Sequence, residues 1–178
     1  MQNGIQENER HPKKQAEYLI DKLYEHYDNY IEKSYRYEQE NKSITKLFEK
    51  WFRGFDSSAS DSMHQEFLDG IDKIVTQLSE QLKQIQQDAP DLCSDFAEKA
   101  VRRLMAPKIP RNQPRSNAEW YMTIAEYQCA PLLPYLKLEV MEELRGTIFK
   151  VSRRMMFPKE REFFDEFERI LKAKREQA

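Results

Sequence analysis

Apolar residues return every three or four positions along most of this chain, and the residues that break such a pattern are rare or confined to its gaps. That period belongs to the amphipathic α-helix, whose apolar stripe must find a core. Only four glycines occur in 178 residues. No Asn-Gly or Asp-Gly pair stands between strand-like runs, so no β-hairpin is signalled.

The spacing predicts about seven helices. The first opens near Pro12, where a missing N–H costs nothing, and carries Ala16, Ile20, Leu23, Tyr27 and Tyr30 on one face. A second, Ser43 to Phe55, carries Ile44, Leu47, Phe48, Trp51, Phe52 and Phe55. The polar run 56–61 then reads as a linker. A third opens at Ser62, with Gln65 placed for a capping box. Its stripe runs from Phe67 through Ile71, Ile74, Leu78 and Leu82 to Ile85. The fourth begins at Pro90, is lined by Phe96, Ala100, Val101, Leu104 and Met105, and is stopped by Pro107, Pro110 and Pro114.

Ser116 and Glu119 form a capping box for the fifth helix, which carries Trp120, Ile124 and Tyr127 and ends at Pro131. After Pro134 a sixth runs through Leu136, Val140, Leu144, Ile148, Val151 and Met155, interrupted by Gly146. Pro158 opens the seventh, with Phe163, Phe164, Phe167, Ile170 and Leu171 inward. Short connections and one stripe per helix make an all-α helical bundle the simplest arrangement.

The expected organisation is a single domain with an N-terminal helical arm able to move. Residues 1–11 read as a disordered tail, 12–55 as a helical hairpin, 56–61 as the linker, and 62–178 as the main bundle, cooperative with the hairpin. The chain is long enough to bury a core without disulfides or metal. Its aromatic content, 12%, separates it from disordered sequences.

Chemistry is hard to find. His11, His26 and His64 all fall in the first third, and no Cys or His answers them at zinc spacing. Glu-x-x-His pairs for a di-iron bundle are missing, as are a G-x-S-x-G elbow and a phosphate-cradling glycine loop. Cys93 and Cys129 lie among apolar residues and are expected to be reduced and packed. No cofactor and no enzymatic activity are therefore expected. The opening ten residues lack an apolar core of the secretory kind, which makes the cytoplasm the expected compartment.

Two features rise above this background. Residues 99–118 hold six basic side chains and no acid, and 145–161 hold six against one, although the whole chain carries only −2. Arg102, Arg103, Lys108, Arg111, Arg115, Arg153 and Arg154 are thus candidate phosphate contacts, with Trp120 and Tyr121 placed for base stacking. The competing reading pairs these arginines with acidic helices. The second feature is the helix Ser43 to Phe55, with Lys46, Lys50 and Arg53 beside an aromatic face. Trp51, Phe52 and Phe55 are its candidate contacts for a partner or an anionic membrane surface.

The expected function is that of a non-enzymatic helical interaction protein, an adaptor or regulator binding another protein. Nucleic-acid binding through the basic segments is the alternative, followed by peripheral membrane association through 43–55. Homo-oligomerisation fits the wide apolar stripes.

Overall fold

The computed structural model describes residues 11–41, 58–105, 117–148 and 158–178. Within them the chain forms six α-helices and one 3-10 segment, with no strand. They are α1 (Pro12–Asn41), α2 (Ser58–Ile85), α3 (Pro90–Met105), α4 (Asn117–Tyr127), α5 (Leu138–Ile148) and α6 (Pro158–Gln177). The 3-10 segment, Ala130–Tyr135, joins α4 to α5. The all-α bundle follows from the stripes as expected.

The expected helix 43–55, with Trp51, Phe52 and Phe55, lies outside the described residues, as does the tail before His11. Of the expected linker 56–61, residues from Ser58 onward belong to α2. Ser62 therefore does not cap. Its hydroxyl donates to Glu66 one turn on, and Gln65 donates to Asp69.

α1 and α2, of 30 and 28 residues, form an antiparallel pair. Tyr27 meets Phe67 while Tyr30, further along α1, meets the earlier His64 of α2. α1 belongs to the core rather than to an arm. Ala16, Leu19, Ile20, Leu23, Tyr27 and Tyr30 share one buried cluster with Phe67, Ile71, Leu78 and Leu82 of α2. α3 lies against the same pair, and α4 packs on α2, α3 and α6.

The turn from α2 to α3 closes its own hydrogen bonds. Asp88 and Ala89 donate to the Ile85 carbonyl. The Cys93 thiol donates to the Leu82 carbonyl, near the end of α2, at 3.4 Å. Burial pushes that thiol up to about 11, so it stays protonated and unreactive near neutrality. Cys129 is likewise buried and free of any disulfide.

Between Pro131 and Pro134 the chain is neither helix end nor loop. It makes a 3-10 turn that buries Leu132 and Leu133. Its carbonyls find donors on neighbours: Ser79 donates to Pro131 and Lys174 to Pro134. This satisfaction lets a proline-interrupted segment sit against the core. Charged side chains clamp the outside. Arg145 of α5 pairs with Glu168 of α6, and Arg175 of α6 pairs with Glu142 of α5 through two bonds.

Two helical glycines have opposite roles. At Gly70 a Cβ would overlap the His26 ring, whose Nε2 donates to the Phe67 carbonyl at 3.1 Å. At Gly146 nothing among the described residues lies within 4 Å of that position. Gly146→Ala should therefore raise stability by about 1 kcal/mol through helix propensity alone. Gly70→Ala should lower it by about 1 kcal/mol, since the displaced His26 forfeits its bond and its stacking. In a His26→Ala background Gly70→Ala should become stabilising. Urea unfolding of the four variants checks the sign reversal, and a loss that persists without His26 would refute the explanation.

Candidate functional site

α4 carries apolar residues on two faces, and this creates a groove. Met122, Ala125 and Cys129 turn into the core and are fully buried. Ile124 and Tyr127, expected in the stripe, are only half-buried, with Tyr127 packed at the edge of the core. Met122, Ala125 and Cys129 join the buried cluster formed with residues of α2 and α3.

Ile124 and Tyr127 instead floor a groove of about 530 Å³ between α2 and α6. One wall is Gln65, Leu68, Asp69 and Asp72 of α2, and the other is Lys159, Glu162, Phe163 and Glu166 of α6. Each wall repeats the spacing i, i+3, i+4, i+7, which keeps its four residues on one helix face. Gln128 ties the floor to the first wall, its amide nitrogen donating to the Leu68 carbonyl at 3.1 Å. Tyr127 ties it to the second through its ring contact with Phe163, centroids 5.6 Å apart. Burial and the neighbouring Glu160 carboxylate raise the Tyr127 hydroxyl above its ordinary range, so it is neutral.

The walls are acidic on both sides. Four carboxylates face one lysine, Lys159. Glu166 is bound to Arg169 on its own helix, and Asp69 accepts only the neutral Gln65 amide. Asp72 and Glu162 have no ion-pair partner among the described residues. Inter-helix contacts elsewhere are different, because Asp28, Glu143, Glu142 and Glu168 are each met by an arginine.

The basic segments lie elsewhere. Arg102 spans α3 and α5, donating twice to Glu143 at 3.0 and 2.6 Å and once to Glu98 at 2.7 Å. Those bonds hold its guanidinium protonated well above the ordinary range. Arg103 turns the other way, pairs with Asp28 of α1, and lies over the rings of Tyr24 and Tyr27. Lys108, Arg111, Arg115, Arg153 and Arg154 lie outside the described residues. One face of the Tyr121 ring is taken by His64, stacked on it at 4.0 Å.

His64 itself is buried where α1, α2 and α4 meet. The Tyr30 hydroxyl stands 2.7 Å from its Nδ1. Burial, foremost, keeps that hydroxyl protonated, so it can donate to a neutral imidazole. Burial also lowers the His64 pKa below the ordinary 6.5, against the opposing pull of the Asp61 and Glu38 carboxylates. A depressed histidine favours the fold while pH exceeds its unfolded value, and that contribution is lost as pH falls through the folded value. Acidification below about pH 6.5 should therefore destabilise the protein, and His64→Gln should flatten the slope. Urea midpoints between pH 5 and 7.5 test this. Parallel slopes for the two proteins would show that His64 is not responsible.

Among the described residues, no group of three or more His, Cys, Asp or Glu side chains converges to hold a metal ion. None of the described helices is long and apolar enough to cross a membrane. The molecule is thus a helical bundle whose described surface carries an acid-walled groove. Compared with family models, with curated proteins and with solved structures, the chain matches none.

Proposed function

We propose that this protein is a non-enzymatic interaction protein, an adaptor or regulator that works by binding another protein. The observation that supports this most is the groove between α2, α4 and α6. It joins an apolar floor, Ile124 and Tyr127, to carboxylates of which Asp72 and Glu162 have no ion-pair partner among the described residues. Concave apolar surface with polar walls is the usual setting for recognition, and helix-lined grooves commonly take peptide segments. Arg102 and Arg103 serve inter-helix packing in this fold. A nucleic-acid reading therefore has to rest on the five remaining basic candidates, and a membrane reading on Trp51, Phe52 and Phe55.

Affinity capture of the intact chain from its native extract, before and after nuclease treatment, tests the proposal. A stoichiometric protein that survives nuclease is the expected result. Recovery of nucleic acid alone, with every co-purifying protein lost on digestion, would overturn it.

A further inference from the structure

We infer that the groove between α2, α4 and α6 takes a basic amphipathic helix of a partner protein. This rests on the interaction reading above and names the chemistry of the partner.

The size of the groove sets what can enter. Four residues at i, i+3, i+4 and i+7 span about two helical turns, roughly 10 Å of wall. A volume of about 530 Å³ accommodates the side chains of one helix face but not a whole helix, whose diameter is about 10 Å. The partner helix therefore lies across the mouth and inserts its apolar side chains toward Ile124 and Tyr127. Spacing of i, i+3, i+4 and i+7 on the partner matches such a bed.

Charge sets the sign of the partner. Asp69 and Asp72 stand on one wall, and Glu162 and Glu166 on the other. The lining thus holds four carboxylates against one lysine, an excess of negative charge that favours a cationic occupant. Lysines or arginines flanking the inserted apolar residues meet both walls at once. The same charge turns away phosphate backbones and anionic lipid, so neither polyanion is the occupant. Among the described residues, the acids Asp28, Glu142, Glu143 and Glu168 at other helix contacts are each met by an arginine from a different helix, whereas Asp72 and Glu162 are not.

The probe is a fluorescein-labelled 14-residue peptide of about four leucines at i, i+3, i+4 and i+7 spacing with lysine elsewhere. The comparison peptide has glutamate in place of lysine. Fluorescence anisotropy with the full chain is expected to show saturable one-to-one binding of the lysine peptide, weakening as salt rises. The double variant Asp72→Lys, Glu162→Lys should lose at least about tenfold in affinity, since two favourable charges become repulsive. Both positions are exposed, so the fold should persist, and an unchanged urea midpoint verifies that. Asp21→Lys, Glu25→Lys on α1 makes the same change in net charge on another exposed face and should leave affinity within about twofold.

Equal weakening by the α1 pair would reduce the effect to net charge and overturn the proposal. So would equal binding of the glutamate peptide, or absence of saturable binding. Sedimentation gives the remaining outcome: a dimer broken by the groove variant, with no peptide bound, would assign the groove to a second copy of this chain. If the peptide fails while a captured protein partner remains insensitive to the groove variant, the interaction reading stands and only this assignment falls.

Discussion

Phe67→Ala is expected to cost about 3–5 kcal/mol, a large part of the stability of a domain of this size. Phe67 is 2% exposed and sits at the centre of an aromatic group. Its ring stacks on Tyr30 with centroids 3.8 Å apart and planes at 9°. Tyr27 meets it edge-on at 5.5 Å, and His26 stacks from the other direction at 5.8 Å. Deleting the ring removes buried area and leaves a cavity that these neighbours cannot fill by collapsing. Tyr30 is held by His64 and His26 by the Phe67 carbonyl, so each is tethered in place. Aromatic pair geometry adds about 0.5–1.5 kcal/mol beyond area. Phe67→Leu, which keeps most of the volume, should cost less than half as much. Guanidinium unfolding gives both values. A loss under about 1.5 kcal/mol for the alanine variant would mean the stack is not a cornerstone of the α1–α2 interface.

The second large effect falls on Arg103. Arg103→Ala is expected to destabilise by about 2 kcal/mol. The guanidinium lies 4.7 Å from the Tyr27 ring centre and 5.2 Å from that of Tyr24, and the side chain is only 21% exposed. Its loss removes cation–π attraction and the cover over two α1 rings, together with the ion pair to Asp28. Lysine at this position should restore little, because a point charge cannot stack as a planar guanidinium does. Arg102→Ala should have a smaller effect, since its side chain is 41% exposed, about twice the exposure of Arg103. The ordering also discriminates between roles. An arginine kept free for phosphate would cost binding and leave the unfolding midpoint unmoved. An Arg103→Ala midpoint equal to that of the parent would therefore return Arg103 to the candidates for nucleic acid.

These two residues illustrate where the sequence was legible. Phe67 stands in a clean stripe of α2, so its burial followed from period alone. The stripes of α1, α3 and α6 are equally plain, and their prolines mark the first turn of each. Arg103 stands in an equally clear basic run, yet charge in a row does not say what it faces. Its partner Asp28 is 75 residues away, and the Glu143 that holds Arg102 is 41 away. At Arg102 and Arg103 the acids that meet them across helices are remote in sequence, so a linear reading does not show the pairing.

The groove was hidden for a related reason. Its two walls are helix faces of the ordinary polar kind, Gln65 to Asp72 and Lys159 to Glu166. A visible sign was that both rows sit one step beside an apolar stripe and both are rich in acid. The decisive residue set, however, is on α4. That helix offers Met122 and Ala125 on one side and Ile124 and Tyr127 on the other, and periodicity cannot rank two apolar faces.

The sequence by itself determined that the chain is helical, where most of its helices begin, and which face of α1, α2, α3 and α6 is buried. Those outcomes depend on residues within a turn or two of each other, through period, capping and proline. Long-range packing settled which face α4 turns inward, why Gly70 must lack a side chain beneath His26, and which of the described acids an arginine meets. Each of these depends on what a distant helix brings to the contact, and a linear pattern does not carry that information.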